Sequence, residues 1–502
     1  MAKLAVQIFK YMLIVLGGIA CLGIIGCAVL VIFPSATIFG VSYSSGNAAP
    51  IENRHVNSGN FALADTVEFK TNGYGIRLRE MRTEDNLPNE FDFGTRLYKQ
   101  FAGFVYGDTR TPALSTGYDA DTKVFTFEVS EPVGFVNNTN TYLEVYLRST
   151  SLLASKTLLL TTTSGKVDIG LPITGSSKNL EIGNAIVNTG HGSTKFTNAI
   201  IKDKLTVNKT GGEITVDKNI GGTADILMSA GLTRITLLGV AESGKSTGSD
   251  FGLEINASNA DIKVTKVWND GFKLDAGGGL VNIAEINGDV SVDMTAGCEL
   301  HITTIQGASS VAINGTGGAL TIGEVNCDVV IYKTSGSVTI TKALGEVDIE
   351  NVNGNITITE ANKEVTAVSE RGNINITGKD DKAFKITTTN NYGTTTIKKA
   401  RGVVDAKIRT NGPGTINVEF LQVVGASEIQ SNIGQITISI NISFAAAEPF
   451  YLIWDTQSAS IDVWGTETTL SKSEAGILGA EDTCADKITV ATTRHFVIST
   501  VS

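Results

Sequence analysis

The chain has 502 residues and a formal net charge of −11, and it is rich in glycine, with 54, and poor in proline, with 8. An acidic average surface repels a phosphate backbone, so we expect no nucleic-acid partner. Abundant glycine together with recurring Thr, Asn, Ile and Val is typical of many short strands joined by tight turns. The composition therefore predicts an all-β protein.

The N-terminal segment differs from the rest of the chain. Residues 11–33 contain no charged side chain, and a helix of this length spans roughly 30 Å of hydrocarbon. Lys3 and Lys10 precede the segment, and no Lys or Arg follows it until Arg54. The positive-inside rule then predicts a cytoplasmic N-terminus at residues 1–10, one transmembrane helix, and the bulk of the chain outside the cell. Membrane lipid is the partner expected for this helix.

Two other interpretations of this segment exist. A cleaved secretory signal has an apolar core of about 7–15 residues, and this apolar run is longer. The stretch Ile24–Cys27 resembles a lipoprotein box, which would make Cys27 a lipidated N-terminus. Because Ala28–Phe33 continues apolar where a lipoprotein normally turns polar, the transmembrane helix is the favoured interpretation.

Cysteine and histidine show no pattern that predicts a metal centre. Three cysteines lie beyond the apolar segment, and an odd number argues against a disulfide-based scaffold. Cys/His spacings suited to zinc are absent from the sequence. We predict no metal ligand, no cofactor-binding residue and no catalytic residue, and hence a protein that is not an enzyme. The residues considered are Cys298, Cys327 and Cys484, and His55, His191, His301 and His495.

A repeat organises the central part of the chain. Units of the form G-x-[LIV]-[TN]-I recur every 18 residues, beginning at Gly318, Gly336, Gly354 and Gly372. A second set of units alternates with them at an offset of nine, beginning at Cys327, Gly345 and Lys363. One such unit cannot bury its apolar face alone, so successive units must stack. The repeat predicts a parallel β-solenoid with about 18–20 residues and two strands per coil.

When the first residue of each unit is numbered zero, apolar residues lie at positions two and four and often at position seven. Positions two and four share one face of a strand, and the seventh is expected to return to the interior after a turn. Examples are Val347, Ile349 and Val352, and Ile356, Ile358 and Ala361.

The pattern divides the chain. The solenoid is predicted over residues 161–443. Residues 34–160 contain strand-like runs with more aromatic and charged residues, and we interpret them as a juxtamembrane β-domain or cap. The aromatic-rich residues 444–502 are predicted to form a C-terminal β cap that shields the last coil.

One motif matches a phosphate-binding loop. Gly239–Ser246 fits G-x-x-x-x-G-K-[ST], and Gly244–Gly248 also fits G-x-S-x-G of serine hydrolases. Both chemistries need a helix directly after the motif. The sequence after Ser246 instead predicts a turn and another strand unit, so we interpret the segment as an enlarged solenoid turn.

Three further functions of solenoids are less favoured. Calcium-binding repeats need paired glycines and regular aspartates, which these units lack. A polysaccharide lyase needs acids and a base converging on one groove, and we can assign none. A T-x-T array at Thr339, Thr357 and Asn375 resembles an ice-binding face, but it is short, and Thr is common on exposed strands.

The cysteines test the number of strands in a coil. Cys298 and Cys327 lie three units apart. In a three-strand coil they would stack about one coil spacing apart, close enough for a disulfide. In a two-strand coil they lie at opposite ends, and we therefore predict no Cys298–Cys327 bridge.

The recurring G-x-[VI]-x-[VI] units of residues 288–377 resemble the putative adhesin family of bacterial surface proteins, a β-solenoid domain of uncertain function. The resemblance implies a location and a scaffold, and it carries no catalytic residues. It leads us to expect a membrane-anchored, adhesin-like cell-surface protein that presents a rigid β-solenoid rod. Its partner would be an unknown extracellular ligand or a neighbouring surface protein. The alternative is a structural envelope component, a possible homo-oligomer that assembles laterally or end to end into a coat or filament.

Overall fold

The structure is a computed structural model. It describes residues 37–38, 41–45, 50–72, 74–98, 102–106, 113–130, 142–163, 166–170, 178–229, 233–240, 251–268, 271–295, 297–408, 414–441, 451–463, 466–471 and 486–501. The chain divides into two compact units, residues 1–218 and residues 219–502.

The first unit is built mainly of strands, with one short helix and a single 3₁₀ turn among its described residues. The helix is α1 (Ser58–Leu63), and the 3₁₀ turn covers Thr83–Asp85. The strands are β1 (Thr37–Ile38), β2 (Val41–Ser45), β3 (Pro50–Asn57), β4 (Thr66–Thr71), β5 (Gly75–Glu80), β6 (Phe91–Tyr98), β7 (Ala102–Tyr106), β8 (Ala113–Asp119), β9 (Val124–Ser130), β10 (Tyr142–Leu147), β11 (Leu153–Thr162), β12 (Val167–Ile169), β13 (Leu180–Phe196) and β14 (Ala199–Ile220).

Parallel and antiparallel pairs are mixed in this unit. Strand β4 pairs in parallel with β9 and β11, and β5 pairs in parallel with β10 and β12. Strand β6 runs antiparallel to β3 and β10. Aromatic side chains fill the core, with ring centroids 5.0 Å apart for Phe61 and Phe93 and 5.8 Å apart for Phe69 and Phe93. These large rings supply apolar area that the short strands alone would lack.

The second unit contains only strands among its described residues. They are β15 (Thr223–Met228), β16 (Thr233–Val240), β17 (Leu253–Ala257), β18 (Ala260–Val267), β19 (Phe272–Ala276), β20 (Gly279–Asn287), β21 (Val290–Met294), β22 (Cys298–Gln306), β23 (Val311–Gly315), β24 (Leu320–Val325), β25 (Val329–Ser335), β26 (Val338–Ala343), β27 (Val347–Asn353), β28 (Ile356–Ala361), β29 (Val365–Arg371), β30 (Ile374–Gly378), β31 (Ile386–Tyr392), β32 (Thr394–Gly402), β33 (Val404–Ile408), β34 (Thr415–Val423), β35 (Ala426–Ser431), β36 (Ile436–Asn441), β37 (Tyr451–Val463), β38 (Thr466–Ser471) and β39 (Lys487–Val501).

Each strand from β15 to β34 pairs in parallel with the strand two further along the chain. Val338 in β26 is paired with Ile356 in β28, and Val347 in β27 is paired with Val365 in β29. A coil therefore contains two strands, as the 18-residue repeat predicts. The even-numbered and odd-numbered strands form separate stacks, so like units lie on like units.

Alternation along the strands builds the core between these two stacks. In β26, Val338 and Ile340 are buried while Thr339 between them is half-exposed. Burying one such aliphatic side chain contributes about 1.5–3 kcal/mol relative to leaving it in water. Stacking makes this contribution repeat in every coil.

The position-seven prediction is correct at Ala361 of β28 and wrong at Val352 of β27. Ala361 in β28 is buried, as predicted. Strand β27 keeps a strict alternation past Ile349, so it buries Asn351 and leaves Val352 half-exposed. A straight strand returns to its inner face after every second residue, and β27 makes its turn later than the pattern suggested.

Glycines line one corner of the coil because the backbones there approach closely. Gly336 has φ +88°, and a Cβ atom at this position would lie 1.7 Å from the carbonyl oxygen of Gly318. At Gly354 the corresponding distance, to the carbonyl oxygen of Gly336, is 2.1 Å. No side chain fits at these distances, which explains why glycine recurs at the start of these units.

The end of the second unit is closed by the C-terminal strand. Strand β39 pairs in parallel with β35 and β36 of the last coil and, through its other edge, with β37. Strand β38 runs antiparallel to β37. Strand β39 thus lies between the last coil and β37, a strand from earlier in the sequence.

Two predictions concern segments that the structure does not describe. Residues 11–33, predicted as the transmembrane helix, lie outside the described residues, as does Cys27. Within the described part of the chain, no helix is both long and apolar enough to cross a membrane. The cysteine prediction agrees with the structure, since Cys298 and Cys327 are both free thiols.

Candidate functional site

A groove of about 470 Å³ opens on the second unit, across β21, β23, β25 and β27. These are odd-numbered strands of four successive coils. The described residues that line it are Asp293, Met294, Thr295, Asn314, Gly315, Thr316, Tyr332, Lys333, Thr334, Glu350 and Val352.

Four of these residues form one outward-facing column. Asp293 is paired in register with Asn314, Asn314 with Tyr332, and Tyr332 with Glu350. Neighbours in such a column are separated by about 4.8 Å, the spacing of hydrogen-bonded strands. Tyr332 is 49% exposed, which is unusual for a large aromatic side chain on a packed sheet. The column therefore places one accessible ring between polar groups from adjacent coils.

The floor of the groove is formed where one coil lacks a side chain. Gly315 lies between Met294 and Lys333 in the adjacent column, and both of these neighbours are buried. A Cβ atom at Gly315 would lie 3.4 Å from both the Nζ atom of Lys333 and the Cε atom of Met294. The absence of a larger residue here opens the sheet surface. Val352, which the sequence pattern placed in the interior, instead lines this groove.

The ammonium group of Lys333 is directed away from solvent. Lys333 is 3% exposed, and its Nζ atom donates to the carbonyl oxygens of Gly317 at 2.9 Å and Gly318 at 3.0 Å. Burial lowers the pKa of Lys333 below its usual value, and the neighbouring Cys298 thiol offsets this only in part. The positive charge is therefore held by backbone dipoles beneath the groove.

Lys333 does not neutralise the acidic side chains of the groove. Asn314 donates a hydrogen bond of 3.0 Å from Nδ2 to Oδ1 of Asp293. Among the described lining residues Lys333 is the only basic one, and its Nζ atom bonds backbone carbonyls instead of Asp293 or Glu350. The accessible part of the groove thus combines an aromatic ring with two carboxylates.

Polar side chains continue inside the coils next to the groove, and sequence reasoning missed them. Asn351 and Asn390 are fully buried, and their Nδ2 atoms donate to the carbonyl oxygens of Gly336 at 2.8 Å and Gly372 at 2.9 Å. These are the glycines of the preceding coil. Asn351 and Asn390 thus each hold the corner of the preceding coil by a hydrogen bond.

A sequence signal for this interior column exists. A polar residue stands three positions before the corner glycine. The pairs are Lys333 and Gly336, Asn351 and Gly354, Ser369 and Gly372, Asn390 and Gly393, and Ser431 and Gly434. The first unit contains the same arrangement at Lys209 and Gly212, where the Lys209 Nζ atom lies 3.2 Å from the carbonyl oxygen of Gly192.

A second charged cluster, in the first unit, is structural in character. The Arg79 guanidinium bonds both carboxylate oxygens of Asp85 at 2.6 and 2.9 Å and both of Glu144 at 2.9 and 3.1 Å. Arg96 adds a bond of 2.6 Å to Asp85. Burial alone would raise the pKa of Asp85, but hydrogen bonds from Arg79 and from the Arg82 backbone amide hold it below its usual value. Removing one partner of such a buried cluster is strongly destabilising, because it leaves the other charge buried and unpaired.

The other sequence motifs are only partly covered by the structure. In the phosphate-loop match, Gly239 and Val240 end β16, and residues 241–250 lie outside the described part. In the T-x-T array, Thr339, Thr357 and Asn375 are paired in register on the even-numbered strands, as predicted, and all three are half-exposed. Among the described residues, no group of three or more His, Cys, Asp or Glu side chains is arranged to hold a metal ion.

Comparisons with known proteins find one matching family model. Residues 244–409, roughly a third of the chain, match the family described as Toastrack DUF4097. One solved structure, described as a putative cell adhesion protein from Clostridium sporogenes, is similar over 90% of this chain and 99% of its own, with 6% identity and a TM-score of 0.15. No curated protein matches the sequence. The matched family region contains the groove around Tyr332.

Proposed function

We propose that this chain is a membrane-anchored cell-surface protein that presents its β-solenoid outside the cell and acts in adhesion, without catalysing a reaction. The observation that carries the proposal is the stacking of parallel two-strand coils, which creates a continuous outer surface with an open groove. Such a surface is suited to contact with a large partner, because repeat scaffolds extend their binding surface coil by coil.

The anchoring part of the proposal rests on the sequence. Residues 11–33 are apolar, and Lys3 and Lys10 stand before them without a balancing Lys or Arg until Arg54. This charge asymmetry favours export of everything after the helix. The resemblance of the repeat units to adhesin-like surface proteins supports the same location.

Protease treatment of intact cells tests the topology. The full chain is expressed with an epitope tag after Ser502 and a second tag before Met1, and the cells are exposed to an externally added protease. We expect the C-terminal tag to disappear while the N-terminal tag survives on a short membrane-bound stub. A cytoplasmic protein serves as the control for cell integrity. Survival of the C-terminal tag in intact cells, with loss after lysis, would contradict the proposed orientation.

Adhesion is tested separately, with cells that display the chain and cells that lack it. The displaying cells should bind to a host-cell or matrix surface in larger numbers, and the purified chain should compete with them. Imaging of the labelled C-terminus should show separate molecules. A continuous lattice without any gain in attachment would instead support a structural coat.

A further inference from the structure

We propose that the groove around Tyr332 binds an arginine side chain from a basic segment of a partner protein. The proposal names the partner chemistry of the surface described above, and it rests on the proposed binding role of the solenoid. The carrying observation is an exposed aromatic ring in a column that also contains Glu350, one coil beyond it, and Asp293, two coils before it.

The ring provides a stacking platform. On β25, Val330 and Tyr332 both face outward and are 36% and 49% exposed. A guanidinium group is planar and more weakly hydrated than an ammonium group, so it stacks on an aromatic face at a low desolvation cost. Tyr332 is placed to receive such a group because its strand neighbours, Asn314 and Glu350, leave the ring accessible.

The carboxylates provide charge complementarity. Glu350 lies one coil beyond Tyr332, within reach of a guanidinium stacked on the ring. A carboxylate can accept two parallel hydrogen bonds from the N–H groups of a guanidinium. Asp293 lies two coils before Tyr332 and already accepts from Asn314. Asp348, paired in register with Val330, adds a further negative charge beside the groove.

Acidic residues elsewhere on the solenoid surface are paired differently. They commonly stand beside a lysine of a neighbouring coil, with N···O distances of 2.6 to 3.4 Å. The pairs are Lys266 with Glu285, Lys273 with Glu254, Lys342 with Glu324, and Lys407 with Glu428. Lys333, the basic residue that lines the groove, instead points inward to backbone carbonyls. The acidic surface of the groove is therefore available to a cation from a partner.

The groove also fits the aliphatic part of an arginine. Val352, which is half-exposed, lines the groove with apolar surface, and Gly315 carries no side chain that would fill it. The three-carbon stem of arginine can lie against such surface while its charged end stays near solvent. A volume of about 470 Å³ accommodates this side chain together with part of the adjoining backbone.

Binding of short peptides to the purified full chain in detergent tests the proposal. The probe is a fluorescein-labelled peptide of sequence GRGRGRG, with GKGKGKG and GQGQGQG for comparison, measured by fluorescence anisotropy at low ionic strength. We expect saturable binding of the arginine peptide, weaker binding of the lysine peptide, and none of the glutamine peptide. Tyr332→Ala and Glu350→Gln should each weaken arginine-peptide binding by about 5- to 20-fold.

Matched control variants separate the groove from general acidity. Tyr392→Ala removes another exposed tyrosine of the same unit, which is 44% exposed, and Glu299→Gln removes an exposed carboxylate. Both controls should bind within twofold of the unchanged protein, and all variants should keep the same thermal unfolding midpoint. Equal weakening in controls and groove variants, equal binding of the lysine peptide, or no saturable binding would overturn the proposal.

A neutral ligand is the main competing occupant. Binding of uncharged oligosaccharides that depends on Tyr332 and is insensitive to salt, without peptide binding, would also overturn the arginine proposal. Cell adhesion is measured independently of these peptides. If cells that display the chain attach no better than cells that lack it, the result argues against the proposed function. Failure of peptide binding with intact adhesion would argue only against this ligand.

Discussion

Ser369 interrupts the interior polar column, and replacing it with asparagine should stabilise the protein. Ser369 lies between Asn351 and Asn390 in register. It is 1% exposed, and its hydroxyl has no hydrogen-bond partner within the described structure. By analogy with the two asparagines, an asparagine at this position would donate to the carbonyl oxygen of Gly354, the corner glycine of the preceding coil.

The amide group would lie beside the corner glycine that follows it. At Gly354 and Gly393, a Cβ atom would lie 3.1 and 3.2 Å from the Nδ2 atom of the asparagine three residues earlier. At Gly372, which follows Ser369, the three nearest atoms are backbone atoms of Gly354 and Asn355. Asparagine at position 369 would place its amide where Asn351 and Asn390 place theirs.

The magnitude follows from the lost and gained hydrogen bonds. One intramolecular hydrogen bond contributes about 0.5–1.5 kcal/mol net. Removing the unpartnered Ser369 hydroxyl brings no further gain, because the Oδ1 atoms of Asn351 and Asn390 are themselves buried without a partner and the new asparagine would have the same Oδ1. Fixing the longer side chain costs up to about 1 kcal/mol of rotamer entropy. We expect Ser369→Asn to raise the free energy of unfolding by up to about 1 kcal/mol.

Urea denaturation followed by circular dichroism measures this change, and amide hydrogen exchange locates it. Exchange should slow mainly in β27 to β31, the coils that contact residue 369. The control Ser369→Ala, which removes the hydroxyl without supplying a donor, should change stability less, whereas Asn351→Ala should destabilise by about 1–3 kcal/mol. Destabilisation by Ser369→Asn would refute the argument, because it would mean that the space for the amide is too small or already filled by ordered water.

Three further predictions concern the corner, a buried lysine and the thiols. Gly336→Ala should destabilise by about 3 kcal/mol, because the added Cβ meets the Gly318 carbonyl and φ is positive, and urea denaturation should detect this. Burial lowers the pKa of Lys209 to about 8 from 10.5, so between these pH values the unfolded chain binds more protons than the folded one. Wild-type stability relative to Lys209→Met should therefore be constant below pH 8 and rise by up to about 3 kcal/mol towards pH 10.5, and a pH-independent difference in urea denaturation would contradict this. Cys298 begins β22 and Cys327 stands just before β25, so the two thiols lie on different stacks; non-reducing mass spectrometry after alkylation of the unfolded chain should therefore find both unlinked, and a linked peptide pair would contradict the two-strand coil.

Much of the solenoid could be predicted because its strands are specified by local patterns. The 18-residue spacing of Gly318 and Gly336 implies a two-strand coil, and the structure has two strands per coil. The position of Val352 was predicted wrongly, because the sequence does not show at which residue a strand turns. An alternation that continues for one more residue exchanges the inner and outer faces.

The groove could not be predicted, because it depends on the alignment of coils of unequal length. Val290 is paired with Val311, 21 residues later, whereas Val311 is paired with Val329, 18 residues later. The additional residues lie in corners, where no periodic pattern marks them. Only the paired register brings Asp293 into the column of Tyr332.

The sequence by itself determined the all-β class, the parallel stacking and the glycine corners, because each depends on residues within one or two repeat units. The tertiary structure decided which polar residues face inward and which remain accessible. Lys333 and Glu350 are both charged residues on neighbouring strands of the same stack, yet one is buried against backbone carbonyls and the other faces solvent. The difference arises because the two residues stand on opposite faces of their strands: Lys333 is paired with the buried Asn351, whereas Glu350 is paired with the exposed Tyr332. Which face points inward is fixed by the pairing with coils that lie 18 or more residues away in sequence.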